Sequence, residues 1–383
     1  MHIKAFTIAV GDDQLQDLSR RLRDARWPDA LDVGWDYGTE PAFLRRLTDY
    51  WHTGFDWRAQ EASLNRMPQF TAELGGLEIH FVHRRGQGPK AFPLILTHGW
   101  PGSFIEMERI LPLLTDPGAH GADPADAFDV VVPSLPGYGF SARPTRPGCG
   151  PHHIAGLWAE LMAGLGYEHY GAQGGDWGAS VSTWLAFRFP EQVAGVHLNF
   201  IPGSFLPPLG PGQPPLTPEE TAFRTMAAAW LDAEAGYGHI QGTKPQTLAA
   251  ALADSPVGLA SWIVEKFRAW SDCGGEVERA FSLDDLLTNI SIYWFTNTIG
   301  SSMRLYRESR LRPVHFAAGE RVLPPLGLAQ FPLELPMPPR SWVERVFTVE
   351  RWTHMDRGGH FAAMEAPDLL AAEIRDFFRP LRR

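Results

Sequence analysis

YGAQGGDWGAS, residues 170–180, decides more about the fold than any other stretch of the chain. Its spacing predicts a strand ending near Gly171, a glycine-rich turn and a helix beginning near Ala179. The segment Gly174-Gly175-Asp176-Trp177-Gly178 has the form G-x-D-x-G. That pattern marks a sharp strand-to-helix turn that lifts its central side chain above a sheet, ready to act as a nucleophile. The glycines are needed because the turn is tight and neighbouring backbone must pass close by. A glycine-rich turn with a helix-capping Asp would read the same way in isolation, so the flanking sequence has to decide.

Working outward, LEIHFVH (77–83), PLILTHGW (93–100) and FDVVVPSLPG (128–137) read as strands. The second and third are nearly continuous apolar runs, as expected of strands buried on both faces of a parallel sheet. Ile154, Leu157, Trp158, Leu161, Met162 and Leu165 follow a 3.6-residue period and predict a helix. GVHLNF (195–200), VHFAAG (314–319) and VFTVERW (346–352) read as later strands. Alternation of this kind predicts an α/β fold with a mostly parallel central sheet and helices on both faces.

Two proline-rich breaks divide the chain, at 201–220 and 324–340. Between them a helical region runs to about residue 310, placed to cover the strands' C-terminal edge, where ligands bind in open α/β sheets. A helix is predicted over 12–26, with Asp12 or Asp13 as its cap and Leu15, Leu18 and Leu22 on one face. Glycine, proline and aromatic residues then dominate to about residue 68, which reads as an irregular arm. The expected organisation is an N-terminal arm (1–70), a first core part (71–200), a helical cap (201–310) and a second core part (311–383).

The chain has 383 residues, 44% hydrophobic and 12% aromatic, enough for a large core. Its net charge of −10, with no basic block, argues against nucleic acid or an anionic membrane as partner. Two cysteines, without CxxC spacing, offer neither a disulfide framework nor a zinc site. No stretch approaches the roughly 18–20 apolar residues of a membrane helix, and the N-terminus lacks a signal-like apolar region. A cytoplasmic, soluble protein is the expectation.

No G-x-S-x-G occurs, so Asp176 stands where serine would stand in an esterase. A carboxylate with a reference pKa of about 3.9 is ionised at neutral pH and needs no base to attack a saturated carbon. The resulting alkyl ester must then be hydrolysed, which requires a base to activate water. His360, in RGGHFAAMEAPDLL (357–370), lies in the right chain order for that base. His354 is a rival without the glycine context, and His98 in HGWPGS (98–103) reads as structural. Glu334, in AQFPLELPMPP (329–339), is the candidate acid partner, with Asp356 and Glu350 as rivals. The backbone N–H groups of Trp100 and Trp177 are the candidate oxyanion donors.

HGWPGS, VVPSLPGYGFS, GGDWG, FPLEL and RGGHFAAMEAP together resemble the microsomal-type epoxide hydrolase family, of the α/β-hydrolase superfamily. The arm motif RLRDARWPD (21–29) and the cap segments at 236–267 and 282–309 are similar too, so the likeness spans nearly the whole chain. The resemblance implies Asp176 as nucleophile, His360 as base and Glu334, through FPLEL, as the orienting acid. It also implies that Tyr237 (AGYGHIQ) and Tyr306 (MRLYRES) bind the epoxide oxygen, roles that spacing alone does not assign. It implies a small-molecule epoxide as substrate and no metal or organic cofactor, and a homodimer is compatible with it. Detoxification and secondary metabolism fit equally.

The rival enzyme class is a haloalkane dehalogenase, which shares the Asp nucleophile and a tryptophan beside it. A halide needs no proton donor, so paired cap tyrosines favour an epoxide. A non-catalytic binding protein on the same fold would be expected to have lost part of the triad, and every position here is filled.

Overall fold

The computed structural model describes residues 1–382. Nine strands form one sheet: β1 (Ile3–Ala5), β2 (Gln69–Leu74), β3 (Leu77–Arg84), β4 (Phe92–Thr97), β5 (Phe128–Pro133), β6 (Tyr170–Gly174), β7 (Val193–Leu198), β8 (Val322–Gln330) and β9 (Phe347–His354). Their order is β1-β2-β3-β5-β4-β6-β7-β8-β9. The first four in that order pair antiparallel, and pairing from β5 through β9 is parallel.

Strand periodicity assigns the two cores. Ile95 and Val131 belong to one apolar cluster, with Ile154, Leu157 and Leu185 of helices Pro151–Gly164 and Asp176–Arg188. Their neighbours Leu94, Leu96, Val130 and Val132 belong to the other, with Leu111 of helix Ile110–Thr115 and Ile374 of helix Pro367–Phe378. Successive side chains point to opposite faces of a sheet, so an apolar run without alternation is what a strand covered on both sides requires. The α/β reading with helices on both faces holds.

Three expectations need correction. The arm is not irregular: it holds helices Pro41–Thr53 and Trp57–Leu64, and β1 and β2 extend the sheet. Phe43, Leu44, Leu47 and Trp51 form one buried face of the first of these helices, and Pro41 occupies its opening turn, where a missing N–H costs nothing. VHFAAG forms only an isolated bridge, His315 to Leu206. The strand there is β8, inside what reads as a proline-rich break. Pro324 and Pro325 precede Leu326, where pairing with β7 starts, and the register with β9 shifts beside them. Prolines at such positions remove no central ladder bond. Finally, helix Asp176–Arg188 begins at Asp176, with Gly175 as its N-cap, and the N-terminal helix runs Asp12–Arg23 behind Gly11.

Between β7 and β8 lie helices Pro218–Glu234, Gly236–Thr243, Pro245–Asp254, Pro256–Trp270, Leu283–Thr296 and Ile299–Leu311. They attach to loops at the C-terminal ends of the strands. Asn289 and Tyr293 donate to the carbonyls of Pro101 and Gly102, at 2.7 Å each, and Ser301 donates to Gly137 at 2.5 Å. No single helix among the described residues is long and apolar enough to cross a membrane.

The elbow after β6 is held by close backbone approach. A Cβ on Gly178 would lie 1.9 Å from the Thr97 carbonyl oxygen, and one on Gly174 would lie 2.3 Å from the Gly178 carbonyl carbon. Both obstacles are backbone atoms that cannot rotate away. Gly178→Ala should therefore destabilise the fold by about 1–3 kcal/mol or more, as overpacking does. Chemical denaturation checks this, and a variant as stable as the parent would show that the elbow tolerates the atom.

Candidate active site

Asp176 is the first residue of its helix and has φ 44°, left-handed space that non-glycine residues rarely occupy. Its carboxylate does not cap that helix. Oδ1 instead accepts the Trp100 N–H at 2.8 Å, from the turn after β4. Oδ2 lies 3.4 Å from His360 Nε2, and His360 Nδ1 lies 2.6 Å from Glu334 Oε1. Glu334 Oε1 also accepts the Leu335 N–H at 2.7 Å, which fixes the acid's orientation. The His360 and Glu334 side chains are 3% and 1% exposed, against 18% for Asp176, so the nucleophile candidate keeps the open surface.

The His360 loop is gripped from below. Glu365 accepts N–H groups from Asp272 (2.6 Å), Phe361 (2.8 Å) and Gly359 (3.0 Å), and Asp272 accepts the Gly358 N–H at 2.9 Å. His360 N–H donates to the Trp270 carbonyl at 2.9 Å, joining this loop to helix Pro256–Trp270. Burial pushes the Glu365 carboxyl up to about 7. Burial alone would push the His360 imidazole down, but the Glu334 and Asp176 carboxylates more than offset it and hold it well above its ordinary value.

The rivals fall outside this cluster. His354, Asp356 and Glu350 are exposed. His98 stitches two loops together: its Nδ1 lies 3.0 Å from the Gly99 carbonyl and its Nε2 accepts the Leu135 N–H at 3.1 Å. Burial pushes His98 down to about 4, so it stays neutral.

Tyr237, on helix Gly236–Thr243, stacks on Trp100 with centroids 5.4 Å apart and planes within 8°. Tyr306, on helix Ile299–Leu311, meets Trp177 edge-on at 4.6 Å, and the two tyrosine rings lie 5.8 Å apart. Burial, then the Asp176 charge, raises the Tyr237 phenol above its ordinary value. Burial, then Tyr237 and Asp176, does the same to Tyr306. Both phenols therefore keep their protons at neutral pH, close enough to Asp176 to feel its charge. Of the two backbone donors expected from sequence, only Trp100 is engaged. The Trp177 N–H, in the first helical turn, makes no hydrogen bond to Asp176.

Sequence reasoning missed Glu106, in the 3₁₀ turn Phe104–Met107, where burial and then the Asp176 charge push its carboxyl up to about 8. No motif along the chain singles it out, since Glu108 and Arg109 follow at once. Among the described residues no group of His, Cys, Asp or Glu is arranged to hold a metal ion.

Residues 3–107 match the family model described as epoxide hydrolase N terminus, and residues 93–228 match the α/β-hydrolase fold. A relative from Stigmatella aurantiaca is 48% identical over 99% of this chain and 86% of its own length. Epoxide hydrolase 1 of Sus scrofa is 40% identical, over 98% of this chain and 88% of its own. The chain belongs to the epoxide hydrolase family. The solved epoxide hydrolase of Aspergillus niger superposes with a TM-score of 0.86 at 31% identity, over 100% of this chain and 97% of that one. An epoxide hydrolase of this family has the α/β-hydrolase fold, as the strand order above also requires.

Because the Glu334 charge favours the imidazolium, Glu334→Gln should lower the His360 pKa. An opposite charge within about 4–6 Å is worth about 1–3 pH units. Imidazole titration by ¹⁵N NMR reads the change directly, and an unmoved midpoint would deny Glu334 its electrostatic role.

Proposed function

We propose that this chain converts an epoxide and water to a vicinal diol through a covalent ester on Asp176. The observation that carries the reading is one carboxylate 3.4 Å from an imidazole, with two protonated phenols near enough to feel its charge. Oδ1 is already engaged by the Trp100 N–H, so Oδ2 is the atom that attacks the epoxide carbon. Tyr237 and Tyr306 donate to the epoxide oxygen as the C–O bond breaks, where an unpaired charge in an apolar cavity would be costly. Ester formation removes the Asp176 charge and with it part of what holds the proton on His360. The proton that His360 then gives up passes to the ring-opened alkoxide, which leaves a neutral imidazole able to accept a proton from water at the stage that needs it. Oδ1 is then the ester carbonyl oxygen, so the oxyanion of hydrolysis develops where the Trp100 donor already points.

In this reading residues 201–310 are the cap that carries the phenols, 1–70 the arm, and 71–200 with 311–383 the core. The two cysteines are unpaired, which suits a reducing cytoplasm.

The indole N–H groups of Trp100 and Trp177 are buried without partners, a feature that a halide-releasing enzyme would share. The two phenols near Asp176 favour the epoxide, because a departing halide needs no proton. One experiment separates the two. His360→Gln incubated with styrene oxide should gain the mass of the substrate and hold it, while the parent releases diol. Tyr237→Phe/Tyr306→Phe should be alkylated at least about 10²-fold more slowly, on the scale of a lost oxyanion donor. Halide release from haloalkanes with unchanged alkylation in the tyrosine variant would favour the dehalogenase instead.

A further inference from the structure

Resting on the ester mechanism above, we propose that the small cavity beside the Asp176 carboxylate, closed by Glu106, Gln173 and Asn199, seats the hydrolytic water. Glu106 is its positioning residue. The cavity measures about 20 Å³ and is bordered by both Asp176 and His360. A single buried water needs roughly 10–15 Å³ on this measure and two to four polar partners, so the space fits one molecule.

Those partners are present. Gln173 is buried, its Oε1 has no hydrogen-bond partner, and its Nε2 donates to Asn199 Oδ1 at 2.8 Å. That bond leaves the Asn199 amide hydrogens free to donate. His360 borders the same space, and its Nε2 is the proton acceptor once the ester has formed. Glu106 is fixed by the turn after β4: its Oε1 lies 3.5 Å from the Gly99 nitrogen and would be 1.7 Å from any Cβ on Gly102. Being neutral at pH 7 beside the Asp176 charge, its carboxyl can donate one hydrogen bond and accept another. Neither Tyr237 nor Tyr306 borders the cavity. Water held there reaches the ester carbon without displacing the group that the phenols hold.

The step balances. The water gives a proton to His360 Nε2 while its oxygen bonds to Asp176 Cγ. The oxyanion forms on Oδ1 against the Trp100 N–H. Collapse breaks the Cγ–Oδ2 bond, and the departing alkoxide takes the proton back from His360. The proton left on the new Asp176 carboxyl then passes to His360, which restores the resting carboxylate and imidazolium.

The test follows the two steps separately with styrene oxide, alkylation by stopped-flow tryptophan fluorescence and ester occupancy by quenched intact-mass analysis. Glu106→Leu should be alkylated within about 3-fold of the parent rate but should hydrolyse its ester about 10²-fold more slowly, the cost of a misplaced reactant. Ester should then dominate during turnover. Glu106→Gln keeps the shape and a donor and acceptor, and should restore hydrolysis to within about 10-fold of the parent. Gln173→Leu leaves the Glu106 packing in place and should also accumulate ester. Ester in His360→Gln but in neither leucine variant overturns the water seat while Asp176 chemistry stands. Glu106→Gln as slow as Glu106→Leu overturns the positioning role of a neutral carboxyl. Ester in none of the variants overturns the covalent mechanism and this inference together.

Discussion

Asp176 is held at φ 44° by a turn only one residue long, and the rest of the site is arranged around that constraint. A non-glycine residue in left-handed space costs about 1–3 kcal/mol and persists only where its surroundings over-determine it. Here Gly178 lies against the Thr97 carbonyl of β4, and the Trp100 N–H holds the carboxylate that the turn presents. The central parallel strands, covered on both faces, make the platform rigid enough to keep that geometry. Loops from β8 and β9 then deliver Glu334 and His360 from one side. Helices between β7 and β8 deliver the phenols from the other.

Four carboxyl groups surround one imidazole, and their protonation states follow from where each sits. Two unit charges about 4 Å apart interact by about 4 kcal/mol at an effective dielectric of 20. One imidazolium can offset the charges of Asp176 and Glu334, which hold its proton in place. A third buried anion next to Asp176 would have no cation left to face, and Glu106 accordingly keeps its proton up to about 8. Glu365 shares the same ground but has three backbone N–H groups, and burial raises it only to about 7. Asp176 and Glu334 thus share one imidazolium, while Glu106 and Glu365 are pushed toward their neutral forms.

Much of this was legible in the sequence, and the failures have physical causes. The glycine spacing around Asp176 exposed the elbow because only glycine permits the backbone contacts found there. The apolar runs of β4 and β5 exposed the buried sheet for an equally direct reason. Pro324 and Pro325 hid β8, since proline argues against a strand unless its neighbour on one side has not yet begun to pair. The arm's helices were hidden by aromatic residues that serve as their buried faces. Spacing narrowed the acid partner to three residues and FPLEL favoured Glu334; in the structure Glu334 meets His360 at 2.6 Å, while Asp356 and Glu350 are exposed. Tyr237 and Tyr306 came from family resemblance alone, because nearness to Asp176 depends on how distant helices fold over the sheet. Glu106 belongs to no pattern that chemistry dictates along the chain.

The central claim is that Asp176 itself becomes bonded to the substrate, and a single turnover in ¹⁸O-water tests it most directly. With enzyme in excess over epoxide, water attacks the ester carbon and leaves its oxygen on the protein. Peptide mass spectrometry should find the label in the Asp176 carboxylate, with the first diol unlabelled. Label entering the diol directly while Asp176 stays unlabelled would mean that water attacks the epoxide itself and that Asp176 acts only as a base.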